Sequence, residues 1–252
     1  MKLFFLFSMI ISFSYKLSAY SETINIAWDT WCPWFCESNE NPGFLIELVE
    51  NVFKYSKTNI QFQKYTWVNG LTEVRQGRIF GMIGTSKYEA PDFIFPNEHI
   101  AVQQMCFYVK NNSSWIYKNL DSLNEVSIGV LREANYPSLM KYIHANSDNP
   151  KKVQIIETQD VSEQGFTELK KNKIDVFLND IISADYYLIK NKLTSDFKRL
   201  DCLEKEKIYL SFSPKLKDKS LKLAKIFDTD YKKYRQTDDY QRLIKKYHIK
   251  YF

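Results

Sequence analysis

The sequence predicts an α/β protein of two lobes, each an open, mainly parallel sheet flanked by helices. Three observations predict it. Leu71-Thr-Glu-Val-Arg-Gln-Gly-Arg-Ile-Phe-Gly-Met-Ile-Gly84 aligns without a gap on Phe166-Thr-Glu-Leu-Lys-Lys-Asn-Lys-Ile-Asp-Val-Phe-Leu-Asn179, 95 residues further on, so two halves share one local plan. Each copy ends in a short apolar run of the kind a parallel sheet buries on both faces. Upstream of each copy stands another strand candidate followed by helix signals, which gives a β-α-β-α-β pattern in each half.

In chain order, Lys2 and the apolar run 3–15, followed by Leu17-Ser18-Ala19, read as a cleavable signal peptide over 1–21. The run is too short to span a bilayer, which needs roughly 20 apolar residues. The first cysteine is Cys32, so a lipid anchor on an N-terminal cysteine is not expected. Residues 23–28 form the first strand and 43–55 the first helix. A second helix stops at Gly77, and 78–83 is the strand after it. The second half repeats this with a strand at 126–131, a helix at 136–145, a helix stopped at Asn172 and a strand at 173–178. Gly and Asn are the residues that best tolerate the left-handed conformation closing a helix. Residues 102–110 and 207–213, rich in strand formers, are the expected crossings between lobes. Two C-terminal helices, 220–234 and 238–247, are expected to pack back on the first lobe. Thr237 caps the second, with Asp238 and Asp239 in its first turn and Lys245 and Lys246 in its last.

The formal charge of +5 falls to +3 once Lys2 and Lys16 leave with the signal peptide. Lys and Arg are scattered among acids, not gathered on one stripe, so nucleic acid is not an expected partner. Four cysteines in an exported chain permit disulfides. Cys32 and Cys36 are near enough to pair, and Cys106 and Cys202 flank the two crossings, although spacing alone leaves the pairing open. No metal or cofactor is expected: Cys32-Pro-Trp-Phe-Cys36 has no second close pair, and His99, His144 and His248 stand alone.

In open parallel sheets ligands sit beyond the carboxyl ends of the strands. That selects the loops 29–36, 84–87, 132–136 and 179–180. The first offers Asp29, Trp31 and Trp34, an acid and two indoles that could cage a cation or pack in the core. The second offers Gly84, Thr85, Ser86 and Lys87, whose hydroxyls could hold a ligand or close a turn. Arg132 and Asn135 lie where a helix N-terminus would face an anion. Asp180 could meet a ligand or cap the helix after it, and Asp175, inside the strand run, reads as structural.

Taken in order, these landmarks resemble the family-3 periplasmic solute-binding proteins, which include receptors for polar amino acids. The matching stretches are Pro42-Gly-Phe-Leu-Ile-Glu-Leu48, Trp67 with Gln76-Gly77, Gly84-Thr85-Ser86, Phe93-Ile-Phe-Pro96, Gly129-Val130, Ile174-Asp175-Val176, Asn179-Asp180 and Ser211-Phe-Ser-Pro214. The resemblance implies a type II periplasmic-binding-protein fold, with one lobe of 22–105 plus 210–252 and a second of 106–209. It implies a monomeric, non-catalytic periplasmic protein that holds a small polar solute for an ABC-type permease or a sensor partner. In such receptors an Arg after the Gly-Thr region holds the ligand carboxylate and an acid after the second lobe's strand holds the amine. Asp180 matches the acid, but Thr85-Ser86-Lys87-Tyr88-Glu89-Ala90 has no Arg. Lys lacks the planar fork of Arg, so Lys87 or Arg132 would have to supply the charge. An exported dehydratase on the same scaffold is the enzymatic alternative, with Asp29, Glu133 or Asp180 as general acid. A sensory protein without transport is the third reading.

Overall fold

The computed structural model describes residues 23–249 apart from 133, 137, 158 and 159. The expected signal peptide, 1–21, lies outside the described residues.

The first sheet has strand order β2-β1-β3-β10-β4. Its members are β1 (Thr23–Trp28), β2 (Asn59–Lys64), β3 (Gly81–Ser86), β4 (Ala101–Gln103) and β10 (Glu206–Phe212). The second has order β7-β6-β8-β5-β9, from β5 (Met105–Lys110), β6 (Ile128–Leu131), β7 (Val153–Ile156), β8 (Val176–Asp180) and β9 (Phe197–Cys202). In each sheet three strands run parallel, and the strands beyond them are antiparallel. β1 and β3 of one sheet thus correspond to β6 and β8 of the other, as the repeat requires.

The two copies of the repeat fold alike down to their hydrogen bonds. Helix α2 (Trp67–Arg75) ends at Gly77, φ 77°, and α4 (Val161–Lys170) ends at Asn172, φ 57°. In both, the amide just after the left-handed residue turns back to a carbonyl five residues earlier: Arg78 to Glu73 and Lys173 to Glu168, each at 3.0 Å. These turns occupy the residues just after the caps. The strands expected at 78–83 and 173–178 therefore begin three residues later, at Gly81 and Val176.

Helix α1 (Phe44–Phe53) follows β1, α3 (Met140–Asn146) follows β6, and α5 (Ile181–Lys190) follows β8. The C-terminal helices α6 (Lys217–Tyr234) and α7 (Asp238–Lys246) pack on α1. Phe53 meets Phe227, Phe44 meets Tyr247, and Asn51 donates to the Tyr234 hydroxyl at 3.0 Å. The Thr237 hydroxyl caps α7 by accepting from the Tyr240 amide at 3.2 Å.

The chain passes between sheets at Gln104 and again at 203–205. The second passage precedes the 207–213 expected from sequence, because the whole of β10 from Glu206 pairs between β3 and β4. The passages are tied together: Gln104 donates its side-chain amide to the Leu203 carbonyl at 3.0 Å, and disulfide Cys106–Cys202 joins β5 to β9 beside them. The other disulfide is Cys32–Cys36.

Candidate functional site

A cavity of about 380 Å³ lies between the lobes, beyond the carboxyl ends of β1, β2, β3, β6 and β7. The first lobe lines it with Asp29, Thr30 and Trp31 after β1, with Lys64, Tyr65, Thr66 and Trp67 between β2 and α2, and with Gly84, Ser86 and Glu89 at the end of β3. Phe35 forms part of the same wall. The second lobe contributes Leu131, Arg132, Ala134 and Asn135 after β6, Ile156 and Glu157 after β7, and Val161 at the start of α4. Gln103, Met105 and Glu206 close it at the passages.

Local structure explains how these side chains arrive there. The 31–36 loop is a small hairpin, with Trp31 and Phe35 exchanging backbone bonds at 2.8 and 2.9 Å inside disulfide Cys32–Cys36. It turns Trp31 toward the cavity and Trp34 away from it. Gly84 has φ 97°, and a Cβ there would stand 3.0 Å from the Phe35 ring, so a glycine lets strand and hairpin meet. In the second lobe the buried Tyr136 hydroxyl accepts from the Leu131 amide at 2.9 Å, which fixes the bend presenting Arg132 and Asn135.

Six residues selected from sequence reach the wall: Asp29, Trp31, Gly84, Ser86, Arg132 and Asn135. Four do not. Thr85 follows the two-residue alternation of β3, so it points opposite to Gly84 and Ser86 and donates to the Ser211 hydroxyl at 2.6 Å in the core. Lys87 lies outside the wall, with its ammonium 5.0 Å from the centre of the Tyr209 ring and 5.9 Å from that of Phe95. Trp34 is fully buried and donates its indole N–H to Asp180 at 3.0 Å.

Asp180 is the larger correction. It is fully buried and caps α5 through the amides of Ile182 and Ser183, both at 3.1 Å. It also accepts from the Gln104 amide at 3.2 Å and from Trp34. Three of these donors, the Trp34 indole and the Ile182 and Ser183 amides, converge on Oδ2, and the Gln104 amide takes Oδ1. Burial raises its pKa to about 6 against the opposing pull of those bonds, Trp34 first among them. The residue joins both lobes and a passage, and it is absent from the cavity wall. Of the two alternatives for Asp180, the structure shows the helix cap, and the side chain does not line the cavity; Glu133 lies outside the described residues.

The acid that sequence reasoning missed is Glu89. The turn after β3, where the resemblance expects a carboxylate-binding Arg, presents this glutamate instead. Ser86 holds the turn by accepting from the Glu89 amide at 3.2 Å through its hydroxyl and from the Ala90 amide at 3.1 Å through its carbonyl. The Trp67 indole donates to the Glu89 carboxylate. Burial raises the Glu89 pKa to about 7; the Trp67 bond opposes this and the nearby Glu206 carboxylate adds to it. The two cations on the wall are already paired, Lys64 with Glu37 and Arg132 with Glu157.

Two buried donors on the wall, Trp31 Nε1 in the first lobe and Asn135 Nδ2 in the second, make no hydrogen bond to a described residue. Buried donors of this kind call for an acceptor. Among the described residues no group of His, Cys, Asp and Glu could hold a metal ion, and no helix is long and apolar enough to cross a membrane.

No protein-family model and no curated protein matches the sequence. Solved structures match over most of the chain. A substrate-binding protein of an ABC uptake transporter from Streptococcus pneumoniae, solved with bound histidine, is 18% identical with a TM-score of 0.71, over 89% of this chain and 92% of its own. A structure solved for glutathione import in Gram-positive bacteria via GshT and the cystine ABC importer TcyBC of Streptococcus mutans is 22% identical with a TM-score of 0.72, over 90% and 95%. A histidine kinase sensor domain with similarity to periplasmic binding proteins is 16% identical with a TM-score of 0.70, over 89% and 95%. What is shared at these identities is the fold: the chain has the two-lobed periplasmic-binding-protein fold.

Proposed function

We propose that the chain is an extracytoplasmic solute-binding protein of the family-3 kind. A small polar solute enters the cleft, the lobes close on it, and a membrane permease of the ABC class recognises the closed form. The observation that carries this reading is the cavity of about 380 Å³ walled by both lobes, a size suited to a small molecule. One unpartnered donor comes from each lobe, Trp31 and Asn135. A solute oxygen that satisfies both does so only with the lobes together, which is the differential contact that ligand-driven closure requires. Substrate-binding proteins of ABC transport systems are among the structural relatives, which supports a permease as the partner.

A thermal-shift screen of the purified protein against amino acids, amines, organic acids and short peptides tests the reading. A ligand of the folded state adds about 2.7 kcal/mol at a hundredfold excess over its dissociation constant. Mass spectrometry of the recovered compound should find it unchanged. A chemically altered product would favour the enzymatic alternative, and no shift from any class would refute solute binding.

A further inference from the structure

The charge of the cavity wall is unusual for a site that is to hold a carboxylate. Asp29, Glu89, Glu157 and Glu206 line it against Lys64 and Arg132. Both cations already have carboxylate partners, Glu37 and Glu157. Among the described residues no Lys or Arg forms an ion pair with Asp29, Glu89 or Glu206. Arg75, the cation whose field reaches Glu89, sends its own guanidinium to Asp92 in a two-bond fork at 2.7 and 2.9 Å. Lys87, two residues before Glu89, faces the Tyr209 and Phe95 rings instead.

Aromatic rings surround the same acids. Trp67 bonds Glu89, and its ring edge lies 3.6 Å from where a Cβ on Gly84 would stand, so it forms the wall next to that strand. Trp31, Phe35 and Tyr65 line the cavity as well. Carboxylates supply charge, and indole and phenol faces attract a cation through their quadrupoles. A half-buried carboxylate whose donors are the Trp67 indole and the Ser86 amide, with a second carboxylate in range, is still destabilised when ionised, and an entering cation relieves that.

We propose that the solute is a cation, an amine or guanidine whose charged nitrogen enters the end of the cavity formed by Glu89, Glu206 and Trp67 and which needs no carboxylate to be held. This rests on the solute-binding reading above: the cavity is the site, and the acids set the charge of its occupant. Trp31 and Asn135 then take a neutral oxygen or a second acceptor on the same molecule.

Calorimetric titration with agmatine, spermidine and choline, beside L-arginine, L-glutamine, succinate and glucose, provides the test. Agmatine or another carboxylate-free cation should bind, and L-arginine should gain less than about tenfold over agmatine, since no free guanidinium awaits its carboxylate. Glu89→Gln should lose roughly 10–100-fold in cation affinity, the range for a charged hydrogen bond in a desolvated site. Its ligand-free melting temperature should not fall, because the repulsion from Glu206 goes with the charge. If that variant fails to fold, Glu206→Gln and the pH dependence of the wild type replace it.

For the pH arm the sign follows from the free protein. Glu89 sits near 7 there, raised chiefly by burial and further by Glu206, with Trp67, the Ser86 amide and Arg75 pulling down. A cation binds the ionised form, so affinity rises up to about tenfold per unit from pH 5.5 to 7 and levels above. Binding of succinate, glucose or L-glutamine with all three carboxylate-free cations silent would overturn the cation assignment while leaving solute binding intact. An affinity for cations unmoved by both Gln variants and by pH would also overturn it. Silence of every probe class would sink the solute-binding reading and this inference with it.

Discussion

Asp180→Ala leaves four donors without an acceptor, and the size of the loss can be built from them. The amides of Ile182 and Ser183 lose their helix cap, worth about 1 kcal/mol. The Trp34 indole and the Gln104 amide are left without their acceptor, at about 1–3 kcal/mol each where buried. The total, about 3–7 kcal/mol, should lower the melting temperature by roughly 10–20 °C in a chain of this size. The loss should depend on pH. The folded-state pKa of about 6 stands above the ordinary 3.8, so the folded chain holds the proton more tightly. That contribution is fully present below about pH 4 and is lost as pH rises through 6, by about 3 kcal/mol at roughly 1.4 per unit. The alanine variant has no such loss. Urea denaturation of both proteins at pH 4.5, 6 and 7.5 should therefore show the largest gap at pH 4.5, while ligand affinity of the folded variant changes by less than about threefold. Equal stabilities at every pH, or a loss of affinity beyond tenfold with stability intact, would refute the assignment of Asp180 to the fold.

Three further outcomes follow from the same geometry. Serine at both Cys106 and Cys202 should cost about 2–4 kcal/mol in urea denaturation, since the bond closes a long loop and ties the passages; reduction of the wild type, which also opens Cys32–Cys36, should cost at least as much. Gly84→Ala should cost more than about 1 kcal/mol, because φ is 97° and the new Cβ would crowd the Phe35 ring; an unchanged melting temperature would contradict it. Trp31→Phe keeps an aromatic ring but removes an unpartnered donor, so stability should hold within about 0.5 kcal/mol while solute affinity falls several-fold, read by calorimetry.

What could be read from sequence was what the chain encodes locally. Gly77 and Asn172 mark the helix ends because left-handed caps favour those residue types. Thr237, Asp238 and Asp239 announce α7 for an equally local reason. The edge strand β2 was harder to see: Asn59-Ile-Gln-Phe-Gln-Lys64 mixes polar residues into the run, as a strand exposed on one side does. Without β2 the rule of carboxyl ends could not reach Lys64, Tyr65, Thr66 and Trp67, which line the cavity. Glu89 was hidden differently. The turn from Thr85 to Ala90 was read for the Arg it lacks, and no local pattern says which of its side chains faces a second lobe. The contact between Trp34 and Asp180 spans 146 residues, so only the folded chain brings it into view.

Asp180 and Glu89 also show why a matching position is weaker evidence than the surroundings of the side chain. Both carboxylates are raised by burial, one to about 6 and the other to about 7. Asp180 has four donors, is fully buried and does not line the cavity, so a ligand amine would have to open the packing around it and compete with the Trp34 indole and two helix-capping amides on Oδ2. Glu89 has the Trp67 indole and the Ser86 amide, a second carboxylate in range, and a place on the cavity wall. A cation placed there displaces no protein donor and relieves both the desolvation and the repulsion. On the proposed reading the binding free energy therefore lies with the acid that faces the cavity, while the buried one ties the two lobes through Trp34 and Gln104.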